Sequence, residues 1–141
     1  MKRKHPARLT AAGIDEARYL ELRALCRQYP KDKRRLRDVR AGIVDRAEGG
    51  CTAWKPPDPT GNQAARVADE TRWLERRVAL IEDCAGAVCR EGGAALRWAL
   101  IKRVTLSMTW EALSPPIGRN QFYELALSFY IELNRREKLG L

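Results

Sequence analysis

From Val67 to Val88, apolar or small side chains recur at alternating intervals of four and three residues: Val67, Thr71, Leu74, Val78, Ile81, Ala85 and Val88. That spacing predicts a heptad seam on one long α-helix, with Trp73, Leu80 and Cys84 widening it on one flank. A single helix cannot bury its own apolar stripe, so the seam must be covered. The cover is either the chain's own helices or a second copy of the chain. Asp58-Pro59 suits the N-cap and first turn of this helix, with Asn62 as an alternative cap. It should run close to Arg90, where Gly92-Gly93 stops it.

The segments on either side also read as helical. Ile14 to Gln28 sets Ile14, Ala17, Leu22, Leu25 and Cys26, with Leu20 or Tyr19, along one side of a helix that ends before Tyr29-Pro30. From Lys31 a second helix places Leu36, Val39, Ile43 and Ala47 at helical spacing and leaves Lys33, Arg34, Arg37 and Arg40 towards water. Glu48 to Pro57 gathers Gly49, Gly50, Pro56 and Pro57 around Trp54, which predicts a loop and the main internal hinge. After the glycine pair, Ala94 to Val104 carries Leu96, Ala99, Leu100 and Val104 on one side. The expected fold class is all-α. N-terminal helices (1–57) pack on a long central helix (58–91), and a C-terminal tri-helical helix-turn-helix follows (92–141).

The last third carries the chemistry. Thr109-Trp-Glu-Ala-Leu, a short break, and Ile117-Gly-Arg-Asn-Gln-Phe-Tyr-Glu-Leu read as two helices meeting at a tight turn. Thr109 is the expected cap of the short helix, and Trp110 and Leu113 the plug between the three helices. On the last helix Phe122, Leu125, Ala126, Phe129 and Leu133 form an apolar stripe, which Leu127, Tyr130 and Ile131 broaden beyond Glu124. Its first turns therefore stay open while its second half is enclosed. In a helix-turn-helix those first turns enter the major groove, so Arg119, Asn120, Gln121, Tyr123 and Glu124 are the candidate base readers. Arg forks onto guanine, and Asn or Gln pairs with adenine. Lys102, Arg103, Lys33, Arg34 and Arg37 are the candidate phosphate contacts.

Charge agrees with a polyanionic partner. The chain has 27 Lys+Arg against 18 Asp+Glu, a net charge of +9. The excess is concentrated in residues 1–46, where 14 basic side chains face 6 acidic ones. A basic face also serves solubility or an anionic membrane surface, so charge alone does not choose a partner. No apolar run approaches a membrane span, because Arg97 and Lys102 close off Trp98-Ala-Leu-Ile. Met1-Lys-Arg-Lys-His-Pro leads into no apolar stretch, so no secretory signal is expected and the cytoplasm is the expected location.

Catalysis, metal and cofactor are not expected. Cys84 and Cys89 are five apart, off the spacing that stacks side chains on one helix face, and no Cys-x-x-Cys occurs. Cys26, Cys51, Cys84 and Cys89 read as free thiols packed as small apolar groups. The only histidine, His5, falls in a segment expected to be mobile. There is no phosphate-cradling glycine loop, and Glu111 reads as a first-turn residue favourable to the helix dipole.

The order of these segments resembles the RinA/ArpU group of phage transcriptional regulators. The likeness rests on Leu25-Cys-Arg-Gln-Tyr-Pro, Lys33-Arg-Arg-Leu-Arg-Asp-Val-Arg, Asp58-Pro-Thr before the seam helix, Ile117-Gly-Arg-Asn-Gln-Phe-Tyr, and Glu137-Lys-Leu-Gly-Leu. It spans almost the whole chain. It implies a sigma-region-4-like helix-turn-helix and a DNA-binding regulator, typically an activator, of phage or prophage genes in a bacterial host cell. Duplex DNA is then the partner, with RNA polymerase and a second copy of the chain as further candidates. Two departures stand out: Ser114-Pro115-Pro116 makes a shorter, stiffer turn than the family's, and Gly118 holds the cap position where the family favours Ser. The alternatives are a small terminase-like DNA-packaging subunit and a helical interaction module that reads no DNA sequence.

Overall fold

Asp15 accepts a hydrogen bond from the Arg18 backbone N–H at 2.8 Å and so caps a helix running over Glu16–Arg40. The computed structural model describes residues 5–42 and 60–140, and this helix is the second of six among them. In chain order they are α1 (Ala7–Ala11), α2 (Glu16–Arg40), α3 (Thr60–Val88), α4 (Gly93–Leu106), α5 (Trp110–Leu113) and α6 (Arg119–Lys138). No strand occurs among the described residues, and the fold class is all-α. The expected loop around Trp54, the Asp58-Pro59 helix start, Cys51, Ile43 and Ala47 lie outside the described residues.

The expected break at Tyr29-Pro30 does not occur. Pro30 sits inside α2, where it lacks the N–H that would reach the Cys26 carbonyl, a defect of about 3 kcal/mol in a helix interior. Packing on both sides of the proline offsets it. Leu22, Cys26 and Tyr29 up to it, and Leu36 and Val39 beyond it, are all buried in one continuous line. Each such side chain contributes roughly 1.5–3 kcal/mol on burial. Tyr19, rather than Leu20, joins this inner side; Leu20 is exposed.

The seam of α3 is covered from within the chain. Leu74, Val78, Ile81 and Ala85 are buried, and α2, α4 and α6 all pack on α3. Trp73 does not widen the seam: it is 52% exposed, with the Arg77 guanidinium 4.7 Å from its ring centre. Helices α2 and α3 run antiparallel, because partners rise along one as they fall along the other. Tyr29 donates to Glu82 at 2.5 Å, Arg77 to Asp32 at 2.8 Å, and Arg35 to Glu70 at 2.6 Å. Lys33 also reaches Glu82 at 3.1 Å, and Arg40 reaches Glu75 at 3.2 Å. Burial, then the Glu82 carboxylate, pushes the Tyr29 phenol above its ordinary value, so it stays a donor.

Helix α6 threads the same core. Phe122, Phe129 and Leu133 are fully buried beside Leu22, Leu74, Ile81 and Leu100. At its far end Asn134 is buried and accepts from Arg18 Nε at 2.7 Å. Short helix α1 lies against α6, anchored by the fully buried Leu9 and Ile14. His5 is tied down here: its Nε2 donates to the Ile14 carbonyl at 2.7 Å, and its ring meets the edge of Tyr19 at 5.8 Å. Among the described residues no buried side-chain polar atom lacks a hydrogen-bond partner.

Candidate nucleic-acid interface

The tri-helical unit is built by capping chemistry local to its sequence. Gly93 opens α4 at φ +74°, a left-handed backbone that costs an L-residue roughly 1–2 kcal/mol. The six residues Leu96, Ala99, Leu100, Ile101, Val104 and Thr105 turn α4 inwards. Its last turn closes onto the next link when Arg103 donates to the Met108 carbonyl at 3.1 Å. Thr109 then caps α5 by accepting from the Ala112 N–H at 3.2 Å. Helix α5 is a single turn of four residues, ended by Ser114 at φ +44° and the two prolines.

Trp110 sets the geometry between α5 and α6. Its indole Nε1 donates to the Ile117 carbonyl at 2.9 Å, which fixes the residue preceding the α6 cap. Its backbone N–H donates to the Tyr123 hydroxyl at 3.3 Å, which ties α5 to the second turn of α6. Gly118 is the N-cap of α6, with no side chain to accept from the first N–H groups.

The five candidate base readers fall into two groups. Arg119, Asn120 and Gln121 are exposed on the first turn. Asn120 and Gln121 have no hydrogen-bond partner among the described residues, and Arg119 approaches Glu111 only loosely, at 3.8 Å. Tyr123 and Glu124 are engaged elsewhere. The half-buried Tyr123 ring lies under Arg103 at 4.9 Å and Arg119 at 5.9 Å. The Glu124 carboxylate accepts from Arg8 at 2.6 Å, and the same guanidinium reaches the Glu124 carbonyl at 3.1 Å and Ser128 Oγ at 2.9 Å. Helix α1 thus occupies the flank of α6 that follows the open turn. Nothing in the spacing of the sequence signals this contact, since its partners stand 116 and 120 residues apart.

The phosphate candidates divide as well. Lys102 and Arg34 are exposed and have no partner among the described residues, and Arg37 is exposed 3.8 Å from Asp38. Arg103 is half-buried between Met108 and Tyr123. Lys33 is held by Glu82 and by Tyr29, and its Nζ stands 4.5 Å from the centre of the Trp98 ring. Trp98 is 38% exposed, with Arg97 also above it at 5.9 Å. Two basic and aromatic clusters result: Lys33 and Arg97 on Trp98, and Arg103 and Arg119 on Tyr123. Cations interleaved with ring faces are a surface that suits a phosphate backbone.

Cys26, Cys84 and Cys89 are free and buried. Loss of water pushes their thiols up to about 12, 12 and 11 respectively, so they stay protonated and act as small apolar groups. Among the described residues no group of three or more His, Cys, Asp or Glu is placed to hold a metal ion. No helix among them is long and apolar enough to cross a membrane. Compared with known proteins, the chain matches no family model, and no curated protein and no solved structure matches it.

Proposed function

We propose that this chain binds duplex DNA through α6 and reads a specific site with Arg119, Asn120 and Gln121. We further propose that it acts as a transcription regulator of the RinA/ArpU type, with activation of phage or prophage genes as its role. The observation that carries the DNA reading is the open first turn of α6. Three neighbouring side chains with base-pairing capacity stand exposed there, Asn120 and Gln121 without a partner among the described residues and Arg119 held only loosely by Glu111 at 3.8 Å, on a helix whose entry Trp110 holds by two hydrogen bonds. A rigid support matters because a bidentate contact, worth roughly 1–3 kcal/mol of discrimination, needs its donors held in one orientation. Uncapped N–H groups at the Gly118 end add a favourable field for a phosphate.

The reading narrows the expected reader set. Tyr123 and Glu124 serve as supports in the free protein, Tyr123 through Trp110 and Glu124 through Arg8. Selection of the purified protein against random duplex DNA at near-physiological salt tests the assignment. The wild type should enrich one motif, and Arg119→Ala or Asn120→Ala should lose that enrichment while keeping weak binding to all duplexes. Equal loss on every duplex would remove the base-reading role. A large ring assembly that enriches no motif would favour a packaging subunit, and binding that salt removes regardless of sequence would favour an interaction module.

A further inference from the structure

Helix α2 sorts its cations by face. Those on its inner side are neutralised within the chain: Lys33 by Glu82, Arg35 by Glu70, Arg40 by Glu75, and Arg18 by Glu21 and Glu137. Those on its outer side are not. Arg23, Arg27, Lys31 and Arg34 follow one another at intervals of four, four and three residues, which puts them on one face, opposite Leu22, Tyr29 and Leu36. None of the four has an acidic partner among the described residues. Arg23 is half-buried with its guanidinium 5.7 Å from the Tyr19 ring centre, and the other three are exposed. Asp32, the only carboxylate between Leu22 and Arg37, turns inward to Arg77.

We propose that this outer face of α2 is a second, sequence-independent site that holds the phosphates of a duplex DNA segment other than the one at α6. The proposal rests on the duplex-DNA reading above for its choice of polyanion. The stripe extends about 16 Å along the helix axis, at 1.5 Å per residue. Over that length one strand of B-DNA presents about five phosphates. Four aligned cations complement such a row, and Asp38, the next position on that face, is drawn to Arg37 at 3.8 Å rather than to the stripe. An anionic membrane is the poorer fit, because an interfacial helix needs an apolar face to insert. The apolar face of α2 is spent in the core, and Leu20 is its only large apolar side chain standing exposed. Helix α2 meets α6 through Arg18 and Tyr19 at Asn134 and Tyr130, more than two turns beyond the open turn at Arg119–Gln121, so the stripe and that turn are separate clusters. The protein should therefore bridge two duplexes.

The test is a triple variant, Arg27→Gln, Lys31→Gln and Arg34→Gln, which spares the half-buried Arg23 and keeps good helix formers. Circular dichroism and light scattering confirm that fold and oligomeric state match the wild type. Binding to a random-sequence duplex is then measured against salt, together with capture of a labelled duplex by a bead-bound one. The variant should lose about 2.7 from the slope of log K on log salt, at 0.9 for each phosphate contact. It should also lose bridging while enriching the same motif as the wild type. An unchanged slope with bridging retained overturns the α2 site and leaves the α6 reading intact. If Arg119→Ala changes nothing but the triple variant abolishes binding, the α6 reading falls and the α2 site stands. Wild-type protein that binds no duplex even at low salt overturns both. Binding to phosphatidylserine vesicles in preference to duplex, lost in the triple variant, assigns the face to a membrane and overturns the proposal.

Discussion

Tyr123 stands in the segment expected to read bases, yet its hydroxyl accepts from the Trp110 N–H and its ring supports Arg103 and Arg119. Helical spacing places a side chain on a face but does not say which neighbour reaches it first, and here a single-turn helix does. Gly118 is a second position where local chemistry can be tested. Its φ of −66° and ψ of 162° suit any residue, and an added Cβ meets nothing nearer than Gln121 Oε1 at 4.0 Å. Gly118→Ser should therefore supply the missing cap and raise stability by a few tenths of a kcal/mol, read as a higher urea midpoint with unchanged slope. A lower midpoint would show that the turn does not admit the side chain. Glu132 gives a pH dependence. Hydrogen bonds from Arg135 and Arg136, each at 2.6 Å, hold its carboxyl at about 2, below the ordinary 4.5. Because the folded value is depressed, its contribution is complete above 4.5 and is lost as the pH falls towards 2. Glu132→Gln should cost on the order of 1 kcal/mol at pH 7, after allowance for solvent screening, and nearly nothing at pH 2. A cost equal at both pH values would assign Glu132 a packing role instead.

Among the elements, α3 is the most legible, since a seam of four- and three-residue intervals admits little else over seven positions. Its expected stop near Arg90 falls two residues past the observed end at Val88. Helix α4 and the Thr109 cap of α5 also follow from local signals. Helix α2 departs from its sequence expectation at Pro30, because proline is a local signal and the force that overrides it is not local. The buried line on both sides of Pro30 and the ion pairs to α3 exist only once α3 lies alongside. Pro30→Ala restores the missing donor and should raise stability by about 1–2 kcal/mol, the lower unfolded-state entropy of proline offsetting part of the gain. Thermal unfolding of the variant checks this. A lower melting temperature would mean that the ring of Pro30 fills space the core needs.

For the molecule as a whole, one apolar cluster takes residues from all three regions marked out along the chain: Leu22 and Cys26, then Leu74 and Ile81, then Leu100, Phe122 and Phe129. Residues 92–141 alone would expose Phe129 and Leu133, which are fully buried in the whole chain. That fragment should therefore lose most of its helical circular dichroism, whereas a fragment that keeps it and still binds duplex would show an autonomous domain. The surface follows the same logic. The basic excess of residues 1–46 reads as one feature in the sequence. In the fold, part of it neutralises the carboxylates of α3, while among the described residues the outer stripe of α2 keeps no acidic partner. The sequence by itself determined the all-α class, the seam and its need for cover, the position of the tight turn, and the residues of the first turn of α6. Those depend on spacing and on caps, which act within a few residues. Only the tertiary structure decided that the seam is closed from within, that Pro30 lies inside a helix, that Arg8 holds Glu124, and which cations are left unpaired. These are contacts between residues far apart in the chain, and their energies exist only when packing brings the partners together.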